Sequence, residues 1–439
     1  MHFLRRMRKG LPCKRNQVYP QRRGKAGAEK RGMIPMEYDH DVIIVGAGPS
    51  GATISRILAQ EGLDVMVFDK RKELGEPVRC GEGLGAREVV AQGIDIPKQC
   101  ISTDIHGAKV IAPDGSEIVW KDKETTGWVL ERKMFDKWLM EQAVHKGARA
   151  QSYTRVFDLV KKDGKTSGVK VTHGDRDPYE VTAPLIISAE GMEASLARKA
   201  GFRALSTLYD VDTCYQYEMQ EYDHENLIEL YFGNEVSPRG YVWIFPKADK
   251  KANVGIGIGA HLETGEKEGG IKGATPKGYL DRFIENHHQL KNASKLQDFG
   301  GVISVGSPID SFAKDNFMVV GTGARQVDPI HGGGIALAME SGVMAANTIL
   351  RAHKAKDYSE EFLSEYETTW REGPGKKVAK RLLLRKVMEA AKDDDFNHIF
   401  KSITDKDLSE VMAGKFAGPV SKVVAGRPQL MGLLKALVS

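Results

Sequence analysis

The sequence has few cysteines and no long hydrophobic run. Its four cysteines, Cys13, Cys80, Cys100 and Cys214, lie far apart, and none belongs to a CxxC pair. We therefore expect neither a disulfide framework nor a zinc site, and this cysteine usage fits a reducing cytoplasm. No segment approaches the roughly 20 uninterrupted apolar residues that a membrane-spanning helix requires. Any contact with a membrane is expected to be peripheral.

Acidic residues are almost absent from the first 35 positions. This segment holds 11 of the 64 Lys and Arg residues and one acid, Glu29, so the rest of the chain has 53 bases and 58 acids. The segment lacks the apolar region of a secretory signal. We interpret residues 1–35 as a basic disordered extension, or as the result of a start codon assigned before Met36. An arm that binds nucleic acid or a lipid surface is the alternative; for the whole protein we predict no nucleic-acid partner.

The composition of the whole chain is that of a soluble globular enzyme. The chain has 439 residues, of which 41% are hydrophobic and 28% are charged. These values exclude general disorder and collagen-like or coiled-coil proteins. A length about three times the ~150 residues of a typical domain predicts one large domain or two interlocked domains.

A glycine-rich turn near the N-terminus predicts a dinucleotide site. Gly46, Gly48 and Gly51 have the GxGxxG spacing, and Asp69 follows 18 residues after the last of them. The turn lies between a predicted strand and a predicted helix, a context in which glycines let a pyrophosphate approach the backbone and an acid accepts hydrogen bonds from a ribose. A glycine-rich turn with a solvated Asp69 is the alternative. The motif does not distinguish FAD from NAD.

A second glycine cluster occurs late in the chain. The segment 317–346 contains a predicted strand over Phe317 to Val320, a glycine-rich loop and a helix from about Gly334. Backbone N–H groups in such a loop and at such a helix N-terminus can meet a pyrophosphate or a flavin carbonyl. Two turns of this kind suggest one extended ligand held between them, which favours FAD over NAD.

The periodicity of apolar residues predicts the remaining elements. We expect short strands between Ile105 and Val129, and mostly strands with two turn-rich insertions from Cys214 to Ile303. After Asp357 the pattern is helical to the end, and the run Leu430 to Val438 is too short and too charged to span a membrane. Other predicted strands cover residues 41–45, 65–68, 154–162, 166–172 and 185–188, and predicted helices extend to Gln60 and from Arg132 to about Lys146.

Three motifs beyond the first turn resemble a known family. They are PVRCGEG at Pro77 to Gly83, YVWIFPK at Tyr241 to Lys247 followed after eight residues by Gly255 and Gly257, and GTGARQVDPIHGGGI at Gly321 to Ile335. Together they resemble the FAD-dependent geranylgeranyl reductases, within the larger group that has the para-hydroxybenzoate hydroxylase fold. The second motif is similar to that family's YxWxFP-x8-GxG element, which most flavin hydroxylases lack. Within the family, the archaeal digeranylgeranylglycerophospholipid reductases are the most similar group.

The resemblance implies a fold and a domain order. We expect an α/β (α+β) architecture with a Rossmann-type FAD-binding domain interleaved with an antiparallel-sheet substrate domain, followed by a helical subdomain. After the basic extension, 1–35, the FAD-binding domain would comprise residues 36–104, 131–204 and 304–356. The substrate domain would comprise residues 105–130 and 205–303, and the helical subdomain residues 357–439.

The resemblance also implies the residues that contact FAD. The pyrophosphate would meet Gly46, Gly48, Ser50 and Gly51, and the ribose Asp69. Cys80, Gly81 and Gly83 would lie near the reactive end of the cofactor, Arg132 and Val156 would flank its adenosine half, and Gly334 and Ile335 would meet the isoalloxazine. Thr322 would also contact FAD, but the family usually has GDAA where this chain has GTGA, so the contact lacks a carboxylate charge. The sequence Ala189 to Gly191 also departs from the DG typical of the hydroxylases.

An aromatic wall is the predicted substrate surface. Tyr241, Trp243 and Phe245 alternate along one strand, so they project to one face. Glycines alternate along the next strand of a presumed hairpin and would leave a face without side chains, where a flat ring or a long chain could lie. The assigned substrate residues are Tyr241, Trp243, Phe245, Pro246, Gly255 and Gly257. The alternative is that the aromatic residues are sheet core and the glycines form a bend.

The family's reaction sets the chemical requirements. An isolated trisubstituted alkene is not polarised, so hydride addition needs concurrent protonation, and aromatic faces can stabilise the resulting cationic character by about 1–2 kcal/mol. The hydride source would be reduced flavin. Cys80 is the candidate catalytic residue, either as a proton source or as a steric guide; the alternative is a buried small hydrophobe. His331 is a second candidate proton donor, or else a loop histidine bonded to backbone.

The predicted partners follow from this reaction. The substrate would be an unsaturated archaeal ether phospholipid whose chains become saturated. No second GxGxxG follows a strand, so the electrons would come from an external donor: a ferredoxin, a reduced deazaflavin or NAD(P)H. The basic stretch Lys376 to Lys386 could dock on anionic lipid, which would place the protein at the cytoplasmic face of the cell membrane; a solvated helix face is the alternative.

Three other functions stay open at this stage. One is a flavin-dependent monooxygenase or dehydrogenase. Another is a reductase of geranylgeranyl diphosphate or of a chlorophyll-type pigment. A non-catalytic isoprenoid-binding chaperone is the third, and the intact glycine turn with Asp69 argues against it because these features imply retained FAD.

Overall fold

The computed structural model describes residues 37–86, 89, 92–261, 275–412 and 415–427. The described residues from 38 onward belong to one compact unit. The predictions for residues 1–35 and for Leu430 to Val438 lie outside the described residues. No helix in the described part of the chain is long and apolar enough to cross a membrane.

A six-stranded sheet forms the first layer, with the order β18-β19-β12-β1-β2-β8. Its inner strands are parallel and only β18 is antiparallel to its neighbour. The inner strands are short, mostly apolar runs because both of their faces are largely buried. The strands are β1 (Val42–Val45), β2 (Val65–Phe68), β8 (Arg149–Gln151), β12 (Leu185–Ser188), β18 (Ala313–Lys314) and β19 (Phe317–Val319).

Three helices belong to this layer, and the sequence predicted all three. They are α1 (Pro49–Gln60), α2 (Arg132–His145) and α5 (Ile335–Ala355). Helix α1 packs against both of the others. The strand–turn–helix–strand unit predicted for residues 41–68 is confirmed, with β1 beginning one residue later than expected.

A seven-stranded sheet forms the second layer, with the order β17-β13-β16-β15-β14-β5-β6. Neighbouring strands are antiparallel except for the parallel pair β14 and β5. One face buries residues such as Val254 and Ile256 against helix α4 (Pro276–Asn286). The strands are β5 (Gly107–Ile111), β6 (Glu117–Lys121), β13 (Val211–Gln220), β14 (Ile228–Tyr231), β15 (Tyr241–Lys247), β16 (Lys251–Gly259) and β17 (Ser294–Ser304).

Two small sheets and a short helix complete the α/β part. One sheet has the order β11-β10-β9 and the other β3-β7-β4. The helix is α3 (Ser195–Lys199). The first sheet comprises β9 (Thr154–Lys162), β10 (Lys165–His173) and β11 (Tyr179–Thr182), and the second β3 (Gly83–Gly85), β4 (Ile101–Ile105) and β7 (Gly127–Leu130).

The C-terminal part is helical, as predicted, as far as it is described. Its helices are α6 (Glu360–Leu363), α7 (Glu365–Glu372), α8 (Pro374–Ala390), α9 (Asp393–Ser402), α10 (Asp405–Met412) and α11 (Ala417–Gly426). The expected interleaving is also present. The six-stranded sheet draws strands from all three segments predicted to bind FAD, and the seven-stranded sheet from both substrate segments. The individual domain boundaries stay predictions.

Candidate functional site

The first glycine turn has the shape that a dinucleotide site needs. Gly46 has a φ of +106°, and a Cβ placed there would lie 2.3 Å from the carbonyl oxygen of Ala189. A Cβ at Gly51 would lie 1.9 Å from the carbonyl oxygen of Gly46, whereas a Cβ at Gly48 would meet nothing within 4 Å. The first turn of α1 has no side-chain cap. No side chain therefore occupies the N–H groups of this turn, and a helix N-terminus of this kind can bind a pyrophosphate.

Asp69 is already engaged by neighbouring donors. Its carboxylate accepts hydrogen bonds from the backbone N–H of Ala47 at 2.8 Å and from the backbone and guanidinium of Arg71 at 2.8–2.9 Å. Burial alone would raise the pKa of Asp69, but these bonds and the charge of Arg71 hold it below its usual value. Because a carboxylate offers about four acceptor positions, a ribose hydroxyl must share or displace one of them. Arg71 is a site residue that the motif does not include.

The late glycine loop lies beside the first turn. Residues Gly321–Ala324 form a 3-10 turn in which a Cβ at Gly321 would lie 2.8 Å from Ser50 Oγ. A Cβ at Gly334 would lie 3.7 Å from Thr322 Oγ1. Gly334 is also the N-cap of α5, and no side chain caps this helix either. Two uncapped helix N-termini thus belong to one region, and the residues present fit an extended dinucleotide.

Ile335 and Val156 are largely core residues. Ile335, the first residue of α5, is 6% exposed, and Val156 in β9 is 7% exposed. Strand β9 begins next to Asp69, the residue that follows β2, because the backbone N–H of Thr154 donates to the carbonyl oxygen of Asp69 at 2.8 Å. Val156 therefore lies at the Asp69 end of the site.

Arg132 lies beside Cys80. Its guanidinium binds Asp136 at 2.9 and 3.0 Å and also hydrogen-bonds with the Cys80 side chain. Burial alone would lower the pKa of Arg132, but Asp136 and Cys80 raise it above its usual value. The resemblance implied that Arg132 lies at the adenosine half of FAD and Cys80 at its reactive end. These two ends of an extended cofactor are far apart, whereas Arg132 and Cys80 are in contact. The structure groups Arg132 with Cys80.

The CGEG turn packs directly against the aromatic wall. A Cβ placed at Gly81 would lie 3.0 Å from the Phe245 ring and 3.3 Å from the indole nitrogen of Trp243. A Cβ at Gly83 would also lie 3.0 Å from the Phe245 ring. Two motifs that are about 160 residues apart in sequence thus form one surface, and their glycines are needed for that contact.

The expectation of a glycine face without side chains opposite the aromatic wall is wrong. Strands β15 and β16 form the expected antiparallel hairpin, with Trp243 opposite Gly255 and Tyr241 opposite Gly257. The glycine face is not free of side chains, because a Cβ at Gly255 would lie 2.2 Å from the Trp243 ring. The indole lies over that glycine and is itself 8% exposed. Gly255 therefore provides room for Trp243 rather than an open floor for substrate.

Pro246 is not part of this wall. Side chains alternate along β15, so Pro246 projects to the face opposite Trp243 and Phe245. It is paired with Ala252, which lies in the core that packs on α4. Its predicted contact with substrate is therefore corrected to a place on the far side of the sheet.

Tyr241 connects the wall to the late glycine loop. Its hydroxyl donates to the carbonyl oxygen of His331 at 2.7 Å, and burial raises the pKa of this phenol. The His331 ring lies 3.2 Å from Asp328 and accepts from the backbone N–H of Gly333 at 3.1 Å. The backbone-bonded alternative for His331 is thus the one observed. Its side chain is 39% exposed.

The basic stretch of residues 376–386 lies in α8 and is only partly available to lipid. Arg381 forms an ion pair with Asp328, and Arg385 binds Asp212 at 2.7 Å. Both arginines are 8% exposed. The prediction of a lipid-facing stretch is therefore wrong for these two cations, which join α8 to the late loop and to the seven-stranded sheet. Lys376, Lys380 and Lys386 are exposed.

The two uncapped helix N-termini beside the glycine turns define a dinucleotide-binding protein of the Rossmann type. Comparison with family models supports this class. Residues 44–82 match an NAD(P)-binding Rossmann-like domain, and residues 210–303 match the geranylgeranyl reductase catalytic domain.

Comparison with whole proteins defines the family. The chain is 37% identical over 411 residues to the digeranylgeranylglycerophospholipid reductase of Methanococcus vannielii, covering 92% of this chain and 100% of that protein. It is 35% identical to the enzyme of the same name from Methanothrix thermoacetophila, covering 91% and 99%. The chain belongs to the digeranylgeranylglycerophospholipid reductase family. As a member of this family it is an oxidoreductase, and FAD is its cofactor.

Solved structures agree with this placement. A geranylgeranyl bacteriochlorophyll reductase-like protein from Thermoplasma acidophilum superposes with a TM-score of 0.81 at 31% identity, covering 91% of this chain and 99% of the other. A flavin-dependent brominase superposes with a TM-score of 0.67 at 19% identity, covering 89% and 99%. The second likeness shows the shared fold alone.

Proposed function

We propose that the protein reduces the C=C bonds of the geranylgeranyl chains of a digeranylgeranylglycerophospholipid. The products would be the saturated, phytanyl-type chains of archaeal ether lipids. One observation carries the proposal: the aromatic wall of β15 packs directly on the CGEG turn, so that Trp243 and Phe245 lie against Gly81, the residue next to Cys80. A prenyl chain would lie along the exposed edge of this surface, beside the aromatic rings and the turn.

The reaction needs a hydride, a proton and a dry surface. Bound FAD in its reduced form supplies the hydride chemistry. The side chains of Trp243 and Phe245 would exclude water and stabilise cationic character in the alkene by about 1–2 kcal/mol. Tyr241 would fix the position of the late loop through its bond to the His331 carbonyl. These residues act by placing the alkene and keeping water away.

Cys80 is the residue we assign to proton delivery or to guidance of the alkene. It is partly exposed, accepts a hydrogen bond from the backbone N–H of Glu82 at 3.2 Å and is next to the Arg132 guanidinium. His331 is less suited because its ring is tied to Asp328 and to the backbone of its own loop. Replacing Cys80 with Ala should lower alkene reduction while FAD stays bound, and unchanged turnover would exclude a role for the thiol.

The electron donor and the membrane contact are further parts of the proposal. An external donor is required, and a ferredoxin, a reduced deazaflavin or NAD(P)H would each supply electrons to bound FAD. A bilayer lipid must also reach the site. The exposed lysines of α8, Lys376, Lys380 and Lys386, are the cations we assign to contact with anionic lipid at the cytoplasmic membrane face.

The decisive experiment is anaerobic. The purified holoprotein is reduced with dithionite and mixed with a digeranylgeranylglyceryl phospholipid, and flavin reoxidation is followed together with the mass of the lipid. We expect reoxidation accompanied by pairs of hydrogens on the lipid, and no reoxidation with the fully saturated lipid as control. FAD that stays reduced with the unsaturated lipid would contradict the proposal. In a separate aerobic assay, oxygen consumption with an aromatic substrate would favour a monooxygenase, and purified protein without FAD would favour the isoprenoid chaperone.

A further inference from the structure

Three buried polar side chains lie on adjoining strands of the seven-stranded sheet, on the face that carries the aromatic wall. They are Gln216 on β13, Asn253 on β16 and Lys247 on β15. Strand β16 lies between the other two, with Gly255 opposite Gln216 and Lys251 opposite Lys247. Each of the three side chains is at most 2% exposed. Sequence patterns alone do not group them, because they come from three strands.

These side chains contact three consecutive residues of the CGEG turn. The Gln216 amide donates to the carbonyl oxygen of Cys80 at 3.4 Å, and the Asn253 amide donates to the carbonyl oxygen of Gly81 at 3.2 Å. Lys247 Nζ lies 2.8 Å from the Glu82 carboxylate. We name these three side chains the turn cradle. It holds the backbone next to Cys80 from one side.

The turn is held from its other side as well. The Glu82 carboxylate accepts a hydrogen bond from the backbone N–H of Arg132 at 2.9 Å, and its carbonyl accepts from the N–H of Leu130 at 2.9 Å. Glu82 has a φ of +72°, a conformation that costs a non-glycine residue energy and persists only where surrounding contacts enforce it. The turn cradle supplies such contacts.

The charges in this unit are costly to bury, which favours a positioning role. Glu82 is 4% exposed, and its ion pair with Lys247 is nearly removed from solvent. Burial alone would lower the pKa of Lys247, but Glu82, Glu131 and Glu218 raise it, so the amine stays charged. Buried ion pairs often add little stability compared with apolar packing. Their retention at this place fits a requirement for geometry.

Gln216 also connects the turn to the substrate wall. Its side-chain oxygen accepts the indole N–H of Trp243 at 2.9 Å while its amide donates to Cys80. One side chain thus sets the spacing between the ring that would face the prenyl chain and the backbone of the candidate catalytic cysteine. A displacement of about 1 Å in such a spacing can cost on the order of a hundredfold in rate.

We propose that Gln216, Asn253 and Lys247 are positioning residues that hold Cys80 and Trp243 at the spacing needed for alkene reduction. The expected effect on turnover rests on the proposed reduction of prenyl chains. The expected effect on the position of the CGEG turn does not depend on turnover. Without the turn cradle, the Cys80 thiol should be more accessible.

The test compares Gln216→Leu with Gln220→Leu in the FAD-loaded protein. Gln220 is a matched control because it lies on the same strand and donates a side-chain hydrogen bond to the carbonyl of Asp249, away from the turn. The readouts are the alkylation rate of Cys80, resolved by peptide mass spectrometry, and kcat and KM for the lipid. For Gln216→Leu we expect alkylation to be about fivefold faster and kcat to fall at least about tenfold with little change in KM; Gln220→Leu should change neither.

Four further variants keep the test decisive if Gln216→Leu is poorly folded. Gln216→Glu keeps an acceptor for Trp243 but loses the donor to Cys80, so it should also increase Cys80 alkylation. Lys247→Met should act in the same direction, Lys247→Arg should restore part of the effect, and Lys250→Met on the exposed end of the same hairpin is its control.

Equal alkylation rates in Gln216→Leu, Gln220→Leu and wild type would overturn the proposal. So would a loss of kcat with an unchanged alkylation rate in every variant of the turn cradle. If the wild-type protein does not reduce the lipid, the proposed function fails, while the alkylation rates still decide whether the turn cradle positions Cys80.

Discussion

At the residue scale, Trp243 is the central side chain of the aromatic wall that we propose as the substrate surface. Its indole lies over Gly255 and donates to Gln216 at 2.9 Å, so it is held in one orientation. Ring centroids of Tyr241 and Phe245 lie 5.9 and 6.3 Å from that of Trp243. The wall is therefore a connected aromatic row, and Phe245 and Trp243 both pack against the CGEG turn.

Replacing Trp243 with Ala should impair lipid reduction more than flavin reduction by dithionite. The change opens a space above Gly255 and removes one aromatic face, at a stability cost of about 3–5 kcal/mol for a large buried ring. Stopped-flow absorbance of the flavin measures both steps. Trp243→Phe is the comparison variant, because it keeps an aromatic ring while it shortens the side chain and removes the indole N–H that binds Gln216. Equal loss in both steps for Trp243→Ala would indicate misfolding instead.

Gly255 should not tolerate a methyl group, for the same geometric reason. A Cβ at this position would lie 2.2 Å from the Trp243 ring, so Gly255→Ala must displace the indole. We expect a loss of about 1–3 kcal/mol in unfolding free energy, as in other overpacked sites, together with slower lipid reduction. Gly301→Ala, where a Cβ would meet nothing within 4 Å, should leave both quantities unchanged. Urea unfolding and lipid turnover measure the two effects.

At the element scale, helix α8 joins the late glycine loop to the substrate sheet. Arg385 binds both oxygens of Asp212 at 2.7 and 3.1 Å and donates to the carbonyl of Pro329 at 2.9 Å. Arg381 contacts Asp328 in the same loop. Buried ion pairs of Arg381 and Arg385 thus attach α8 to the late loop and to the seven-stranded sheet, in addition to apolar packing. Because these two arginines form internal ion pairs, they are not available to lipid.

Replacing Arg385 with Met should therefore destabilise the protein strongly. The change leaves the Asp212 carboxylate buried without its partner, and such losses are about 3–5 kcal/mol. Urea unfolding measures the effect, and Lys386→Met, one exposed residue further along the helix, is the control. Adding Asp212→Asn should recover part of the loss because the stranded charge is removed. A double variant as unstable as the single one would contradict this account.

The 3-10 turn that follows helix α4 contains a histidine contact from which we predict that the stability of the protein depends on pH. His287 accepts the backbone N–H groups of Gln289 and Leu290 with its Nδ1, at 3.3 Å each, at the start of a 3-10 turn. Burial and the neighbouring His288 lower the pKa of His287 to about 4. In the unfolded chain this imidazole has the usual histidine pKa of about 6.5. Stability should therefore decrease as pH falls from about 6.5 towards 4.

The size of this effect is about 1 kcal/mol between pH 7 and pH 5, after allowance for partial exposure. Urea unfolding of the wild type at the two pH values measures it. In His287→Asn the amide oxygen can accept the same N–H groups without titrating, so this part of the pH dependence should disappear. Carboxylates contribute equally to both proteins and cancel in the difference. An unchanged difference would show that His287 is not responsible.

At the scale of the whole molecule, charge is separated along the chain. Residues 1–35 are strongly basic, whereas the rest of the chain has five more acids than bases. Lipid binding should therefore depend on local cations rather than on net charge. Among these, Lys376 and Lys380 lie one turn apart on α8 and are exposed.

Sedimentation with vesicles tests this view. The full-length protein should bind vesicles that contain anionic lipid more tightly than neutral ones, and less tightly at high salt. A Lys376→Gln and Lys380→Gln double variant should bind the anionic vesicles about thirtyfold more weakly, since each of the two cations near the surface contributes about 1 kcal/mol. A Lys146→Gln and Lys161→Gln variant, with the same change in net charge at two other exposed sites, is the control. Equal weakening in both would contradict a role for α8.

The sequence by itself determined the elements and the cofactor class. The strand, helix and strand around Gly46 follow from local pattern, since hydrophobic periodicity and turn chemistry act over a few residues. The same holds for helix α2 and for the start of α5, whose N-cap is Gly334. The motifs at Cys80 and Trp243 also pointed to the correct family, because they are specific residue patterns.

Only the tertiary structure decided which residues meet. It brought Cys80 next to Arg132, placed the Trp243 indole over Gly255, turned Pro246 to the far face and used Arg381 and Arg385 as internal ion pairs. It also assembled the turn cradle from three strands. The physical reason is that these contacts join segments far apart in the chain, so their geometry depends on how the two sheets and helix α8 pack, which no local pattern contains.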